Sequence, residues 1–257
     1  YRGALFPVKA GNAEKLAIDI KDFAEAAKEG GARVLYLGMP DTVLPGEKSL
    51  PQGMPFLDYN IMQNTLLFTM RQEGVPFLDA RFAFLVHRFP IENIAPKTAF
   101  LLTGEAAFAL STYTVDYLEQ QFSLPLDPDG FHRDPANYVF EKHPSFFIGQ
   151  LGKETGPAFS GADDFTAVSP KFETDYFIEG VDMFGNAFER EGDAATTLLH
   201  SDALEHYDDL YSMYPEGYYV QTNAARTRVV NRGNPDGPKA LVVHDFYSAQ
   251  IISHLAP

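Results

Sequence analysis

The sequence predicts an α/β domain in which helices flank a central parallel sheet. In the first third of the chain, an amphipathic helical pattern is followed by a short apolar run, and this arrangement occurs twice. Alternating helices and buried strands are typical of a parallel sheet covered by helices. The chain has 257 residues, of which 45% are hydrophobic, so it can bury a substantial core. We therefore expect one domain that spans residues 1–257.

Two helix–strand pairs open the chain. The first helix runs from an Asn12 N-cap to Glu29, where glycines end it, and residues 33–38 form the strand that follows. The second helix covers residues 60–73, and residues 75–79 form its strand. Both strands are short and apolar, which favours positions inside a sheet.

The clearest helix covers residues 103–121, because Thr103 is a good N-cap and the apolar spacing is helical throughout. Residues 124–192 are rich in Pro, Gly, Asp and aromatic residues and show little periodicity. We expect an irregular insertion there that buries its Phe and Tyr rings. The remaining predicted elements are a helix over 194–213 and strands over 218–223, 227–231 and 240–243.

Composition and charge exclude several functional classes. The net charge of -15 argues against nucleic acid or an anionic membrane surface as a partner. No run approaches the roughly 20 apolar residues of a transmembrane helix, so we expect no such segment. The absence of cysteine excludes disulfides, thiolate metal sites and cysteine nucleophiles. The chain opens at Tyr1 without a methionine, so we expect a processed or trimmed chain in which no signal segment is present.

Four stretches, in order and spacing, resemble the DHHW family and the related alginate O-acetyltransferase-like proteins. They are VLYLGMPDTVLPGEKSLP (34–51), EGVPFLDARF (73–82), PKTAFLLTGEAAFA (96–109) and KALVVHDFYSAQIISHLA (239–256). The third lies where the family has its DHHWT-x-x-GAY segment, and the fourth resembles the family's strand and Asp-Ser turn. The resemblance implies an SGNH-hydrolase-like α/β fold, polysaccharide O-acetyl chemistry and an extracellular or cell-envelope location.

The residues that would perform this chemistry are replaced. In such domains the DHHW segment supplies an Asp–His pair and the turn supplies the nucleophilic Ser, whose proton the His accepts. In this chain the DHHW stretch reads Ala99, Phe100, Leu101 and Leu102, and Phe246 stands at the Ser position. No imidazole, carboxylate or hydroxyl remains at these positions, which predicts a pseudoenzyme.

The residues that match the family have structural explanations. Thr103 can cap one helix and Asp245 can cap the last one. We expect a ligand crevice where the strands end, as in other open α/β sheets. Its candidate residues are Pro40, Asp41, Thr103 and Asp245.

Three functional hypotheses follow. The leading one is a catalytically inactive protein that binds a cell-envelope glycan or a partner protein and uses no cofactor. The alternative is an active carbohydrate O-acetyltransferase or acetylesterase with a rearranged nucleophile, Ser248, supported by His244 and Asp245. Against it, Ser248 lies two residues beyond the family position, which turns its side chain by about 200° in a helix. A purely structural interaction module is the third hypothesis.

Other motifs are weaker. His87 and His143 lie in aromatic surroundings, but the His residues lack ligand spacing, so we expect no metal site. Residues 126–131 (LDPDGF) resemble a calcium loop but lack its closing Glu, and a turn explains them better. Five tyrosines could form a stacking platform for sugar rings or could be buried to stabilise a loop-rich region. They are Tyr207, Tyr211, Tyr214, Tyr218 and Tyr219.

Overall fold

A computed structural model describes residues 12–40, 59–205, 209–220, 224–245 and 248–256. The chain divides into two compact units, Tyr1–Ile91 and Glu92–Pro257. Helices and strands occur in both units, so the predicted α/β class is confirmed. The expectation of one domain over residues 1–257 stays a prediction.

The first unit contains the two predicted helix–strand pairs. Its elements are α1 (Ala13–Glu29), β1 (Tyr36–Gly38), α2 (Tyr59–Gln72), β2 (Phe77–Asp79) and α3 (Ala80–Val86). β1 and β2 pair in parallel, and α1 packs against α2. α1 begins where predicted, because Asn12 Oδ1 accepts a hydrogen bond from Lys15 N at 2.9 Å. The parallel pairing confirms the arrangement inferred from the repeated helix–strand pattern.

A buried arginine fixes the start of α3 to α2. Arg81 is buried, and its Nη2 donates to Asp79 Oδ2 at 2.8 Å and to Asn64 Oδ1 at 2.9 Å. Its Nη1 donates to Asn60 Oδ1 at 3.1 Å. Buried charges persist when they are paired and hydrogen-bonded, as this guanidinium is. The network therefore holds the chain in place where it leaves β2.

The second unit is built around antiparallel strands. Its longer elements are α4 (Gly104–Phe122), β3 (Tyr138–Phe147), β4 (Asp163–Pro170), β5 (Tyr176–Asp182), β6 (Ala187–Gly192), β7 (Ala224–Asn231) and α8 (Ala249–Leu255). The short helices are α5 (Gln150–Thr155), α6 (Pro157–Ser160) and α7 (Ala194–Thr197). Short 3-10 turns lie at Pro135–Asn137, Ser201–Leu204 and Pro215–Tyr218, and another, Ile91–Asn93, lies where the first unit ends and the second begins. β3 pairs with β4, and β5 lies between β6 and β7.

Aromatic side chains fill the main core of this unit. The cluster includes Phe146, Phe147, Phe165, Tyr176, Tyr218 and Tyr219, together with Leu101, Ile178 and Leu198. Phe146, Phe147, Phe165 and Tyr176 of residues 124–192 are therefore buried, as predicted, whereas Phe131, Phe159 and Phe184 are exposed. The same residues are more regular than predicted, because they contain β3, β4, β5 and β6. Cross-strand pairing, which leaves little trace in the apolar spacing, orders this region.

Two predicted elements are wrong. Residues 194–213 do not form one helix: α7 ends at Thr197, and Leu199 forms a β-bridge with Tyr219. His200 N donates to Tyr218 O at 2.8 Å, so tertiary hydrogen bonds replace the helical ones. The same contacts place Tyr218 in a 3-10 turn rather than in the predicted strand over 218–223, of which residues 221–223 lie outside the described residues.

The predicted final strand is also absent. Residues 240–243 make no strand pairing within the described part of the chain, and Leu241 and Val243 are each 86% exposed. β-Branched apolar residues favour a strand only where a neighbouring strand can satisfy the backbone. The prediction relied on side-chain type alone, and no described strand provides that neighbour.

α8 packs against α4 and carries a half-buried histidine. His254 Nε2 is inaccessible and has no hydrogen-bond partner among the described residues. Its ring lies edge-on to Phe108 and Tyr219, with centroids 5.9 and 5.8 Å away. Burial lowers the pKa of His254 to about 4, because the imidazolium would lose its hydration. His254 is thus a neutral part of the core.

This burial predicts a loss of stability in acid. His254 has a pKa of about 4 in the folded state, against about 6.5 for an unperturbed His, so the unfolded state binds more protons between these values. Its contribution to the unfolding free energy falls as the pH drops from about 7 to 4, by on the order of 3 kcal/mol. Phe does not titrate, so the variant His254→Phe should not show this loss. When both proteins are unfolded in urea at pH 7 and at pH 4, the free energy of unfolding of the variant should rise relative to that of the wild type by this amount.

The matched control is His244→Phe, because the His244 ring is exposed. This variant should keep the wild-type pH dependence. If His254→Phe and the wild type lose stability in parallel towards acid, His254 is not buried as a neutral ring.

Candidate functional site

The segment aligned with the DHHW motif lies in the core of the second unit. Ala99, Leu101 and Leu102 are buried, and Phe100 is half-buried. Ala99 and Leu101 pack in the same cluster as Phe147. Side chains packed in this way contact other apolar groups and not solvent, so they cannot take part in proton transfer to a substrate.

A buried carboxylate anchors the beginning of this segment. Asp163, the first residue of β4, is buried and accepts hydrogen bonds from Lys97 N and Thr98 N, each at 2.9 Å. The Thr98 hydroxyl also donates to this carboxylate. Hydrogen bonds to an ionised group are about twice as strong as neutral ones. Asp163 therefore fixes the chain immediately before the DHHW-aligned positions.

Thr98 extends the anchor to α5. Its Oγ1 accepts from Gly149 N at 2.8 Å, and its carbonyl oxygen accepts from Leu151 N at 2.9 Å. Gly149 is required at this contact, because a Cβ there would lie 2.4 Å from Thr98 O. Asp163 and Thr98 are thus positioning residues that the sequence patterns did not reveal. An Asp beside another Asp, at the start of a strand, carries no signal of burial.

Thr103 has the structural function predicted for it. Its Oγ1 accepts from Ala106 N at 3.1 Å, which caps α4, and donates to Asn93 O at 2.6 Å. The next residue, Gly104, lies so close to β4 that a Cβ would be 2.0 Å from Thr166 O. α4 therefore begins directly against β4, and the residues retained from the family motif are explained by packing.

Among the described residues, the hydroxyl of the alternative nucleophile contacts a carboxylate and no imidazole. Ser248 Oγ donates to Asp245 Oδ1 at 2.7 Å, and Asp245 Oδ1 also accepts from Ser248 N at 3.1 Å. His244 Nδ1 lies 2.8 Å from the Asp245 carbonyl oxygen, to which it can only donate. Within the described residues, no imidazole lies within hydrogen-bond distance of the Ser248 hydroxyl. The N-cap of α8 is Ser248, which makes no side-chain capping hydrogen bond, so the prediction that Asp245 caps this helix is wrong. Asp245 instead accepts a hydrogen bond from the backbone of the N-cap residue.

The other histidines that the structure describes do not supply this base or a metal site. His254 lies between aromatic rings, and His143 Nε2 lies 3.7 Å from Glu141 Oε1 on β3. His87 is the C-cap of α3 in the first unit. Among the described residues, no group of three His, Asp or Glu could hold a metal ion. The cavity beside His254, lined also by Tyr138 and Tyr176, has a volume of about 10 Å³ and could hold about one water.

The calcium-like loop is a turn held by its own chain. Asp127 is buried and accepts hydrogen bonds from His132 N and Arg133 N. The Arg133 Nε also donates to it at 3.0 Å. Gly130 has a φ of +75°, as the turn requires. Because the carboxylate is already satisfied, the geometry favours the turn over a calcium site.

The five-tyrosine platform is corrected by the structure. Tyr218 and Tyr219 are buried in the core, and Tyr207 lies outside the described residues. Tyr211 and Tyr214 are each 42% exposed. At most these two members of the predicted set are accessible to a ligand among the described residues.

The candidate crevice residues fall in different parts of the chain. Pro40 belongs to the first unit, whereas Thr103 and Asp245 belong to the second. Asp41 and Phe246 lie outside the described residues. That these residues line one crevice stays a prediction. Nor does any helix in the described ranges combine the length and the apolar character needed to cross a membrane.

Solved structures share this architecture. PatB1 of Bacillus cereus superimposes with a TM-score of 0.72 and 18% identity over 97% of this chain and 79% of that one. A DHHW family protein from Eubacterium siraeum superimposes with a TM-score of 0.63 and 15% identity, over 98% of this chain and 74% of that one. The chain has a DHHW-like fold. The fold that the four sequence stretches implied is therefore confirmed.

Two further solved structures have TM-scores equal to or lower than that of the first PatB1 structure. A structure of PatB1 with a sulfonyl adduct gives a TM-score of 0.72 and 16% identity over 98% of this chain and 80% of that one. The O-acetyltransferase domain of Pseudomonas putida AlgJ has a TM-score of 0.47 and 17% identity, over 64% of this chain and 60% of that one. No family model and no curated protein matches the sequence.

The anchor at Asp163 predicts a large and specific loss of stability. The variant Asp163→Ala leaves two backbone N–H groups and a hydroxyl without their acceptor in the interior. Each buried unsatisfied group costs about 1–3 kcal/mol, so we expect the free energy of unfolding in urea to fall by about 3 kcal/mol or more. The adjacent variant Asp164→Ala removes an exposed ion pair with Lys142 and an exposed hydrogen bond from Ser145 N, and it should cost at most about 1.5 kcal/mol. Equal losses would contradict the anchoring function.

The core position of Leu102 can be tested against an exposed leucine. Leu102 is 0% exposed, so Leu102→Ala should lower the free energy of unfolding by about 2–5 kcal/mol. Leu241 is 86% exposed, and Leu241→Ala should change it by less than about 0.5 kcal/mol. Chemical denaturation measures both variants. If Leu102→Ala is as mild as its control, the DHHW-aligned segment is not part of the core.

Proposed function

We propose that this protein is a catalytically inactive relative of the polysaccharide O-acetyltransferases and esterases, exported to the cell envelope, where it binds a glycan. One observation supports the loss of chemistry most directly. The DHHW-aligned positions Ala99, Phe100, Leu101 and Leu102 carry no ionisable group, and three of them are packed in the core. The shared fold provides the context but does not determine a function.

The expected effect on catalysis is severe. Acyl transfer by a serine needs a base that accepts the hydroxyl proton as the oxygen attacks. Loss of one member of such a triad typically lowers the rate by about 10⁴-fold or more. Here the Asp position of the motif is Ala99 and its two His positions are Phe100 and Leu101, so no member of the Asp–His pair remains. Binding without turnover is the function that a protein with these replacements can still perform.

One observation favours a second candidate, an active esterase or acetyltransferase. The Ser248 hydroxyl is only partly buried and donates to a carboxylate at 2.7 Å. However, a carboxylate is a weaker base than an imidazole by about two pKa units, so it activates a hydroxyl poorly. The Ser–Asp contact also serves the turn before α8, which explains it without chemistry.

Reagents that trap an activated serine separate the two candidates. We expect no covalent labelling by a fluorophosphonate or by a sulfonyl fluoride, a reagent class suggested by the sulfonyl adduct of PatB1. Hydrolysis of p-nitrophenyl acetate should be the same for the wild type and Ser248→Ala. A known serine esterase in the same mixture controls for reagent activity, and Ser201→Ala controls for the substitution. Labelling at Ser248, together with hydrolysis that Ser248→Ala abolishes, would establish the active enzyme.

A further inference from the structure

Three exposed aromatic rings lie on the second unit away from the DHHW-aligned segment in sequence. Tyr211 and Tyr214 are each 42% exposed, and Phe159 is 63% exposed. We call these three residues the aromatic platform. Scattered single hydrophobic residues are normal on a surface, so the platform matters only if its members lie together and are held in place.

The Tyr211 hydroxyl lies close to Gly156, the residue before the short helix that carries Phe159. A Cβ built on Gly156 would lie 3.9 Å from the Tyr211 hydroxyl, so this hydroxyl reaches the elbow between α5 and α6. Phe159 follows in α6, and its N–H donates to Gly156 O at 3.1 Å. Gly156 has a φ of +81°, which permits the sharp bend at the elbow. The Tyr211 hydroxyl and the short helix that carries Phe159 therefore meet at the same bend of the chain.

Hydrogen bonds and buried neighbouring side chains order the segment that carries Tyr211 and Tyr214. Asp209 Oδ1 accepts from Tyr211 N at 3.0 Å, and Gly217 N donates to Tyr214 O at 3.0 Å. Between and after the two exposed rings, Met213 and Tyr218 are buried in the core. The backbone of the platform is thus ordered before any ligand arrives. Preorganisation of this kind lowers the entropic cost of binding.

The chemistry of the platform suits a sugar polymer. Aromatic rings offer large apolar faces with few rotatable bonds, and a Tyr hydroxyl adds a hydrogen-bonding group at the edge. The apolar faces of pyranose rings can stack on such surfaces while their hydroxyls remain solvated. The charge of the protein also limits the class of glycan, because a net charge of -15 disfavours the binding of polyanionic polymers.

We infer that Phe159, Tyr211 and Tyr214 form a binding platform for an uncharged glycan polymer, one without carboxylate, sulfate or phosphate groups. This inference rests on the proposed glycan-binding function and assigns it to a surface distinct from the residues aligned with the family's catalytic motif. The exposed Phe184, at 90% exposure, lies instead on the turn between β5 and β6 beside Met183. It provides a matched aromatic residue outside the platform.

Affinity electrophoresis in native gels tests the inference. The probes are glycol chitin, glucomannan and hydroxyethylcellulose as uncharged polymers, and alginate as a polyanion. We expect at least one uncharged polymer to retard the wild type and alginate not to retard it. Phe159→Ala and Tyr211→Ala should each weaken the association by about ten-fold, which corresponds to about 1.4 kcal/mol. Tyr211→Phe should retain most of it, because the stacking face remains.

The control Phe184→Ala should bind like the wild type, and melting temperatures should be unchanged in all variants because the replaced rings are exposed. Retardation that survives both Phe159→Ala and Tyr211→Ala would overturn the platform and leave glycan binding intact. Retardation by alginate alone would overturn the charge argument and, with it, this inference. Absence of retardation by every polymer would remove both the platform and the glycan part of the proposed function.

Discussion

The carboxylate of Asp163 sets the position of the segment on which the functional interpretation depends. It is buried at the start of β4 and receives two backbone N–H groups and the Thr98 hydroxyl. Burying this carboxylate with fewer hydrogen-bond donors would destabilise the fold. The donors therefore stabilise the buried carboxylate, and the carboxylate in turn fixes the position of the donors. Through Thr98, the same network reaches Gly149 and Leu151 at the start of α5. β4, α5 and the chain leading to α4 are thereby joined at one point.

After this point three of the next four side chains, those of Ala99, Leu101 and Leu102, are buried, and Thr103 then caps α4. The aromatic strands β3 and β4 supply the partners for Ala99 and Leu101, and α8 covers α4 from another side with the neutral His254. A position that makes these contacts cannot also present an acid or a base to a substrate. The loss of chemistry that we propose and the packing of the second unit would then have the same origin, the apolar residues at positions 99–102.

The sequence predicts elements well where local contacts determine them. Asn12 and Thr103 start helices because their side chains satisfy nearby N–H groups, and both appear in the sequence as polar residues before a helical repeat. Where structure depends on partners distant in the sequence, the predictions were wrong. Residues 240–243 have strand-forming side chains but no described neighbour, and α7 stops early because Leu199 pairs with Tyr219. Asp163 and Asp164 are adjacent and identical in type, yet only the first is buried, which no local pattern reveals.

The claim that the DHHW-aligned segment is a rigid part of the core can be tested without substituting any residue. Native-state hydrogen exchange at the amides of Thr98 and Leu151 reports whether the anchor opens independently of the rest of the fold. We expect both amides to exchange only through global unfolding, as slowly as the amide of the fully buried Ile178 in β5. Exchange at Thr98 and Leu151 that is orders of magnitude faster, with Ile178 still protected, would show a mobile segment and contradict the structural basis for an inactive protein.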